Sequence, residues 1–419
     1  MTNERREKRG LGFGRALLIL LVLVSLLLAG FGGGMACMWC FGSEIRQFTR
    51  RVIPAELDQE TNVPLQEQSQ ILWEAWDILE REYVDPQLLN EQEAIWSAAE
   101  GLVSSVGDPN TRFVRPLEAK IINEDMQGSF EGIGATVEMR DGELVIVRPL
   151  PNSPALKAGL QVGDTILSVD GESLKGKDIM EAINLIRGPK GTTVKLLVKR
   201  EGRMEPFVVR VKREKVDLPT VEARMIEKVA YLRLTEFNAA SKERLHRALE
   251  ELLHKAPIGL VLDLRGNPGG YLDEAVDVAS EFLPQDTLLL TERQRGKDER
   301  EYRVKQAGVA TEIPLVVLID GGSASAAEIV AGSIHDNDRG VLVGQQTFGK
   351  GSVQSTHTLQ DGSSLRVTVA RWYLPDGQNL DGEGIMPDIQ VSTTAEDVAA
   401  ERDPQLDRAV EYLTKEKGA

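Results

Sequence analysis

The spacing of apolar and polar positions changes several times along the chain, and each change marks an element or a domain boundary. No charge occurs from Ala16 to Ser43, and the run ALLILLVLVSLLLAG inside that stretch is dense in Leu and Val. About 20 apolar residues cross a bilayer, so the run is long enough to do so. Residues 44–63 are polar, contain Pro54 and predict a linker. From 64 to 127 the spacing is helical. Trp73, Trp76, Leu79 and Tyr83 recur on that period, followed by Ile95, Ala98, Ala99 and Leu102. Pro86 and the cluster Gly107-Asp108-Pro109 interrupt it. A Trp stripe of this kind reads as core or as an oligomer seam.

From Gly128 the period becomes that of strands. Ala135–Val137 and Leu144–Val147 predict a hairpin around Asp141-Gly142. A short helix is expected after Ser153-Pro154, since proline suits a first helical turn. A second helix, DIMEAINLIRG, carries Ile179, Ala182, Ile183 and Ile186 on one face. TVKLLVKR and FVVRVKRE close a compact, mostly β unit over 128–214. The section 215–392 alternates differently. IGLVLDLRG and PLVVLID are continuous apolar runs and predict buried strands, with YLDEAVDVASEFL and SAAEIVAGSIHD as helices between and after them. Such alternation implies an α/β layer architecture. Residues 393–419 predict a polar helical tail. The fold class is therefore α/β with an inserted mostly-β domain and helical N- and C-terminal regions. The ends at 64–123 and 393–419 are amphipathic enough to serve as elements of a homo-oligomer.

Length and charge narrow the function. A chain of 419 residues suggests two or three domains. Apolar residues at 42% and charged residues at 27% indicate a globular chain rather than disorder or a fibrous repeat. The net charge of −16 argues against nucleic acid as a partner, because phosphate binding needs clustered Lys and Arg. Arg5, Arg6, Lys8, Arg9 and Arg15 outnumber Glu4 and Glu7 ahead of the apolar run. Basic residues there favour a cytoplasmic N-terminus. Residues 1–43 are expected to be a membrane anchor, with everything after it outside the cytoplasm. The competing expectation is a cleaved signal peptide, with Gly34-Met35-Ala36 as a poor cleavage site and a secreted or periplasmic product. The two cysteines, Cys37 and Cys40, cannot form a disulfide scaffold and read as small apolar residues at the anchor's outer end.

Three short segments hold chemistry. In DGGSASAAEIVAG, residues 320–332, a buried strand ends at Asp320 and Ser323 and Ser325 open a helix. A serine there lies at the C-terminal edge of the sheet, where sites in such folds form, although Ser is also an ordinary helix cap. In TFGKGSVQ, residues 347–354, Lys350 stands between two glycines. A free lysine, pKa near 10.4, is only about a thousandth neutral at neutral pH. Burial lowers that value and makes lysine a base for serine, the Ser–Lys form of nucleophilic catalysis. On the plainer reading it is a surface lysine in a glycine loop. In DLRGNPGGYL, residues 263–272, a Pro-Gly-Gly turn exposes backbone N–H groups suited to an oxyanion hole, or simply makes a tight turn. Of the four histidines, His246 and His254 read as solvated. His335, beside Asp336, reads as a satisfied helix-terminal residue rather than a metal ligand. No metal or cofactor is expected.

Together DLRGNPGG, GGSASAAEIVAG, LVGQQTFGKGSVQ and GEGIMPDI resemble the carboxy-terminal processing (tail-specific) proteases of peptidase family S41, across roughly residues 68–392. GSFEGIGATV, SPALKAGLQVGDTILSVDG and AINLIRGPKGT resemble a PDZ domain. The resemblance implies a crotonase/ClpP-like α/β protease core over 215–392 and an inserted PDZ domain over 128–214. It implies Ser325 as nucleophile, Lys350 as general base and Gln354 as the residue orienting the lysine. It also implies an oxyanion hole from Ala326 N–H and the Gly269-Gly270 turn, with Glu328 in support. Asp320 stands where the family often has Asn. Gly132, Ile133 and Gly134 would present N–H groups to a C-terminal carboxylate, the tail adding as a strand. Arg187, after the second PDZ helix, is a candidate for coupling tail binding to the protease core. The implied partners are C-terminal tails of exported or membrane proteins. Two rival functions remain at this point: a non-catalytic PDZ scaffold on a degenerate core, and a crotonase-like acyl-CoA enzyme, which export and the lack of a nucleotide site disfavour.

Overall fold

The computed structural model describes residues 68–416. The expected anchor, the linker and the Cys37/Cys40 pair lie outside the described residues. Among the described residues no helix is long and apolar enough to cross a membrane.

The chain divides into two units, the first ending at Asn90. Its described part is a helix, Gln70–Glu82, and a 3-10 turn, Pro86–Leu88. No residue of that helix is buried, and Trp73 is 55% exposed. The Trp stripe is thus not core, which leaves the oligomer-seam expectation for this helix untouched.

The second unit contains both remaining domains. Six strands form the central sheet in the order Val221–Ile226, Val229–Leu234, Gly259–Asp263, Leu315–Ile319, Val341–Gly344, Ile389–Gln390. The first pair is antiparallel and the rest are parallel. Every residue of Gly259–Asp263 and Leu315–Ile319 is buried, as the continuous apolar runs predict. Helices Ser241–Leu253, Leu272–Ser280 and Ala326–Asp336 lay their apolar residues into one core cluster with this sheet. The opposite face is covered by the C-terminal helix Pro404–Glu411 and the turn after it. Ala409 and Leu413 pack there on Tyr231, Val261 and Val316. Arg265 reinforces the attachment, pairing with Asp263 and with Asp403 at 2.7 Å. The polar helical tail expected over 393–419 is thus a helix whose Ala409 and Leu413 pack on the sheet within the chain.

A second sheet was not legible as such. Arg112–Val114, Ser352–Thr358 and Leu288–Gln294 each pair antiparallel with the long strand Ser364–Tyr373, and Arg300–Arg303 extends the edge. Charged residues such as Glu292, Arg293 and Arg300 fill these strands, so their pattern is weak as a strand signal.

The inserted domain follows the expected hairpin and helices. Ala135–Arg140 pairs with Glu143–Pro149, and Asp141 and Gly142 both take positive φ, as a tight type I′ connection requires. Ser153 caps the short helix Pro154–Lys157 through Leu156 N–H at 3.2 Å. Asp178 and Glu181 form a capping box on Ile179–Ile186. Ser129–Gly132 pairs with Glu214–Asp217, bringing the entry and exit of the domain side by side.

Candidate active site

A cavity of about 780 Å³ brings together Ser325, Ala326, Lys350, Gln354, Gly269 and Gly270. The strand Leu315–Ile319 delivers the serine turn and Val341–Gly344 delivers the lysine loop. These strands are parallel neighbours, so both loops emerge at the same sheet edge.

Ser325 has φ 52° and ψ −113°, a backbone conformation that costs a non-glycine residue roughly 1–3 kcal/mol. It sits directly before the buried helix Ala326–Asp336, whose N-terminal dipole favours negative charge. Ser323 is different. It is fully buried and donates to Leu264 O at 2.8 Å, so it braces the turn.

Glu328 organises the site. Its fully buried carboxylate accepts from Ser325 N–H at 2.7 Å, Gly349 N–H at 2.7 Å, Lys350 N–H at 2.9 Å and Thr347 Oγ1 at 2.6 Å. One side chain on the serine helix thereby fixes the start of that helix and the lysine loop together.

Lys350 is half-buried, and among the described residues its ammonium has no hydrogen bond or ion pair. Burial pushes it below the ordinary lysine range. The charges of Arg366 and Arg112 push the same way, against Asp108 and Asp381. Gln354 does not bind the lysine. Its Nε2 donates to Ser352 Oγ at 3.0 Å and to Thr368 Oγ1 at 3.3 Å. Those hydroxyls belong to a network that sequence reasoning missed. Asp108 accepts from Thr111 Oγ1 at 2.6 Å and Asn110 N–H at 3.0 Å, and Thr111 Oγ1 accepts from Thr368 N–H at 3.0 Å. Burial works against the Asp108 carboxylate, yet these bonds and the charge of Lys350 hold it below its usual range. Gly107-Asp108-Pro109 reads as a helix breaker, and nothing in that signal points to the lysine.

The glycine turn is shaped by close approach. At Gly269, φ +100°, a Cβ would lie 2.8 Å from Ser325 Cβ and 3.0 Å from Ala326 N. At Gly270 it would lie 2.1 Å from Phe237 O. Gly269 N–H is spent on Asn267 Oδ1 at 2.9 Å. Among the described residues, the N–H groups of Gly270 and Ala326 have no protein partner. Asn267 was also missed. Fully buried, it donates through its side-chain amide to Leu234 O at 2.8 Å and accepts from Ala324 N–H at 2.9 Å through its main-chain carbonyl, tying the two turns together.

In the inserted domain, Gly132, Ile133 and Gly134 are buried, and the N–H groups of Ile133 and Gly134 have no protein partner among the described residues. Ala135–Arg140, which follows, is the edge strand of its sheet. Arg187 is not a surface arginine. It pairs with Glu124 at 2.9 Å and Asp125 at 2.8 Å and lies 4.2 Å over the Phe130 ring. Glu124 and Asp125 belong to the helix Pro116–Met126, which also lines the cavity through Lys120, Asn123 and Met126. His335 is held by Asp336 at 3.0 Å and Asp388 at 3.3 Å.

Comparison with known proteins places this geometry. A model of peptidase family S41 matches residues 228–391, and a PDZ-domain model matches residues 145–200. The carboxy-terminal-processing protease of Bartonella bacilliformis is 37% identical over 322 residues, 75% of this chain and 74% of the relative. Carboxy-terminal processing protease CtpA of Bacillus subtilis is 36% identical over 334 residues, 79% of this chain and 70% of the relative. A Bacteroides fragilis structure assigned to the S41 proteases shares the fold with a TM-score of 0.52 at 21% identity, covering 81% of this chain and 96% of that one. The chain belongs to the carboxy-terminal processing proteases of peptidase family S41 and carries their PDZ domain.

Proposed function

We propose that the chain is an exported, membrane-tethered serine endopeptidase that captures C-terminal tails of exported or membrane proteins and cleaves by a Ser–Lys mechanism. The observation that carries this reading is the joint anchoring of Ser325 and Lys350 by Glu328 at the rim of one cavity. Neutral Lys350 takes the proton of Ser325 Oγ as that oxygen bonds to the peptide carbonyl carbon. The carbonyl oxygen becomes an oxyanion, and the unpartnered N–H groups of Gly270 and Ala326 receive it. The Lys350 ammonium then protonates the leaving amine as the C–N bond breaks. Lys350 then deprotonates a water that attacks the acyl carbon, and its ammonium returns that proton to Ser325 Oγ as the acyl C–O bond breaks. In this scheme Gly269 contributes its missing side chain rather than its N–H, and Gln354 acts on the strand beside the lysine.

The tail adds to the edge strand Ala135–Arg140, its carboxylate at Ile133 and Gly134 N–H. Half-buried Ala135, Val137, Ile179 and Leu185 beside that edge favour an apolar tail. The ion pairs of Arg187 support its role as the link from tail to cavity. Export rests on the uncharged run from Ala16 to Ser43 and the basic residues before it.

Fluorescent fusion of the full-length chain to a membrane fraction assay tests the location. Cleavage of a loosely folded protein bearing apolar or charged tails tests the activity. Tail-selective cleavage that Ser325→Ala abolishes is expected. Tail binding with no cleavage would favour the PDZ scaffold instead.

A further inference from the structure

We propose that Arg366, with Arg112 beside it, forms a carboxylate-binding subsite within the catalytic cavity. The proposal rests on that cavity being the cleavage site. Arg366 lies on the strand Ser364–Tyr373 and lines the cavity with Ser325 and Lys350. Among the described residues its guanidinium makes no hydrogen bond or ion pair, and its Nε is buried without a partner. Arg233, the other arginine with a buried, unpartnered Nε among the described residues, does not line the cavity, and several other part-buried arginines are satisfied. Arg265 pairs with Asp263 and Asp403, Arg187 with Glu124 and Asp125, and Arg200 with Asp164. Arg339 donates to the carbonyls of Phe282, Ala310 and Ile313.

The register makes the exception sharper. Arg112 is the direct cross-strand partner of Arg366, and like charges directly opposite destabilise a strand pair. Glu118 reaches Arg112 at 3.3 Å but forms no ion pair with Arg366. The carboxylate that does line the cavity, Glu236, is raised by burial toward its neutral form and is not paired with Arg366 either. A desolvated guanidinium facing a second one is costly unless a ligand completes it. Its planar fork matches a carboxylate in bidentate fashion. A bound peptide brings that group from two sources: its own C-terminus, when the cut bond lies close to the end, or an Asp or Glu side chain near the cut bond.

The test uses the full-length chain and two peptide pairs, one differing in free against amidated C-terminus, the other in Glu against Gln near the cut bond. In the wild type one of the two swaps should raise KM about tenfold, the size of one charge-assisted pair. In Arg366→Gln the effect of the same swap on KM should be about tenfold smaller than in the wild type, and Arg366→Lys should fall between. Any effect of a free C-terminus on the PDZ domain persists in Arg366→Gln and so cancels in the comparison. The pair that responds identifies the source. Equal KM values for both pairs in the wild type overturn the proposal, whether or not the variant folds. So does a swap effect that Arg366→Gln leaves intact. If the wild type cleaves none of the peptides, the protease reading fails on its own. Fluorescence anisotropy of the same peptides then decides the subsite by the same ratios.

Discussion

Glu328 and Lys350 are joined through the main chain, with the buried carboxylate accepting from the lysine N–H at 2.9 Å while its other bonds reach Ser325 N–H, Gly349 N–H and Thr347 Oγ1. The acid therefore fixes where serine and lysine stand without touching either reactive atom. On the proposed mechanism it is a positioning residue, and the side-chain chemistry is left to the pair it holds.

Removing that acceptor strands four donors. Glu328→Ala should destabilise the fold by about 4 kcal/mol or more, since each buried unsatisfied donor costs about 1–3 kcal/mol. Glu328→Gln keeps the shape but turns one end into a donor facing N–H groups, and should fall in between. Urea unfolding of both variants checks the order, and cleavage should drop further than the lost folded fraction explains.

The pH profile reports Lys350. A base must be neutral, and burial with Arg366 and Arg112 nearby lowers the pKa of this lysine. The rising limb of kcat/KM should then lie below the free-lysine value of about 10.4. Arg366→Gln removes one of the depressing charges and should move the limb upward. A limb at the free-lysine value in the wild type contradicts the assignment.

His335 should make stability depend on pH in the opposite sense from a buried lysine. Partial burial pushes its imidazole down, but hydrogen bonds and charges of Asp336 and Asp388 outweigh this and raise it overall. A raised folded value means the stabilisation is fully present below the unfolded value of about 6.5 and is lost as pH rises through the folded value. The gap in urea midpoint between wild type and His335→Gln should be largest near pH 5.5 and shrink above neutrality.

The proposed coupling of tail to cavity runs through Arg187. Arg187→Ala removes both ion pairs to Glu124 and Asp125 and the stacking on Phe130. Tail affinity, measured with a labelled peptide, should change little, whereas the rate gain from an apolar tail should fall several-fold. A rate gain that survives the substitution removes the coupling role.

Much of this was legible before the structure. Gly259–Asp263 and Leu315–Ile319 announce buried parallel strands by uninterrupted apolar residues, and the hairpin at Asp141-Gly142 announces itself by turn chemistry. Ser325 and Lys350 stand out because each occupies a glycine-flanked turn after such a strand. The second sheet was hidden, because charged residues on its strands mask the period of two. Asp108, Asn267 and Thr368 were hidden for another reason. They act through hydrogen bonds between segments far apart in sequence, such as Thr368 N–H to Thr111 Oγ1, and no local pattern encodes such a pair. The polar helical tail was legible as a helix, but not its docking site, because polar residues dominate its composition whereas Ala409 and Leu413 decide where it packs.

The most direct measurement is cleavage of a loosely folded protein with an apolar C-terminal tail by the full-length chain, beside Ser325→Ala, Lys350→Ala and Lys350→Arg. The account predicts tail-selective cleavage by the wild type and a loss of about 10⁴-fold or more in each variant, because nucleophile and base act as one unit. Cleavage that persists in Lys350→Ala or Lys350→Arg would contradict the Ser–Lys mechanism.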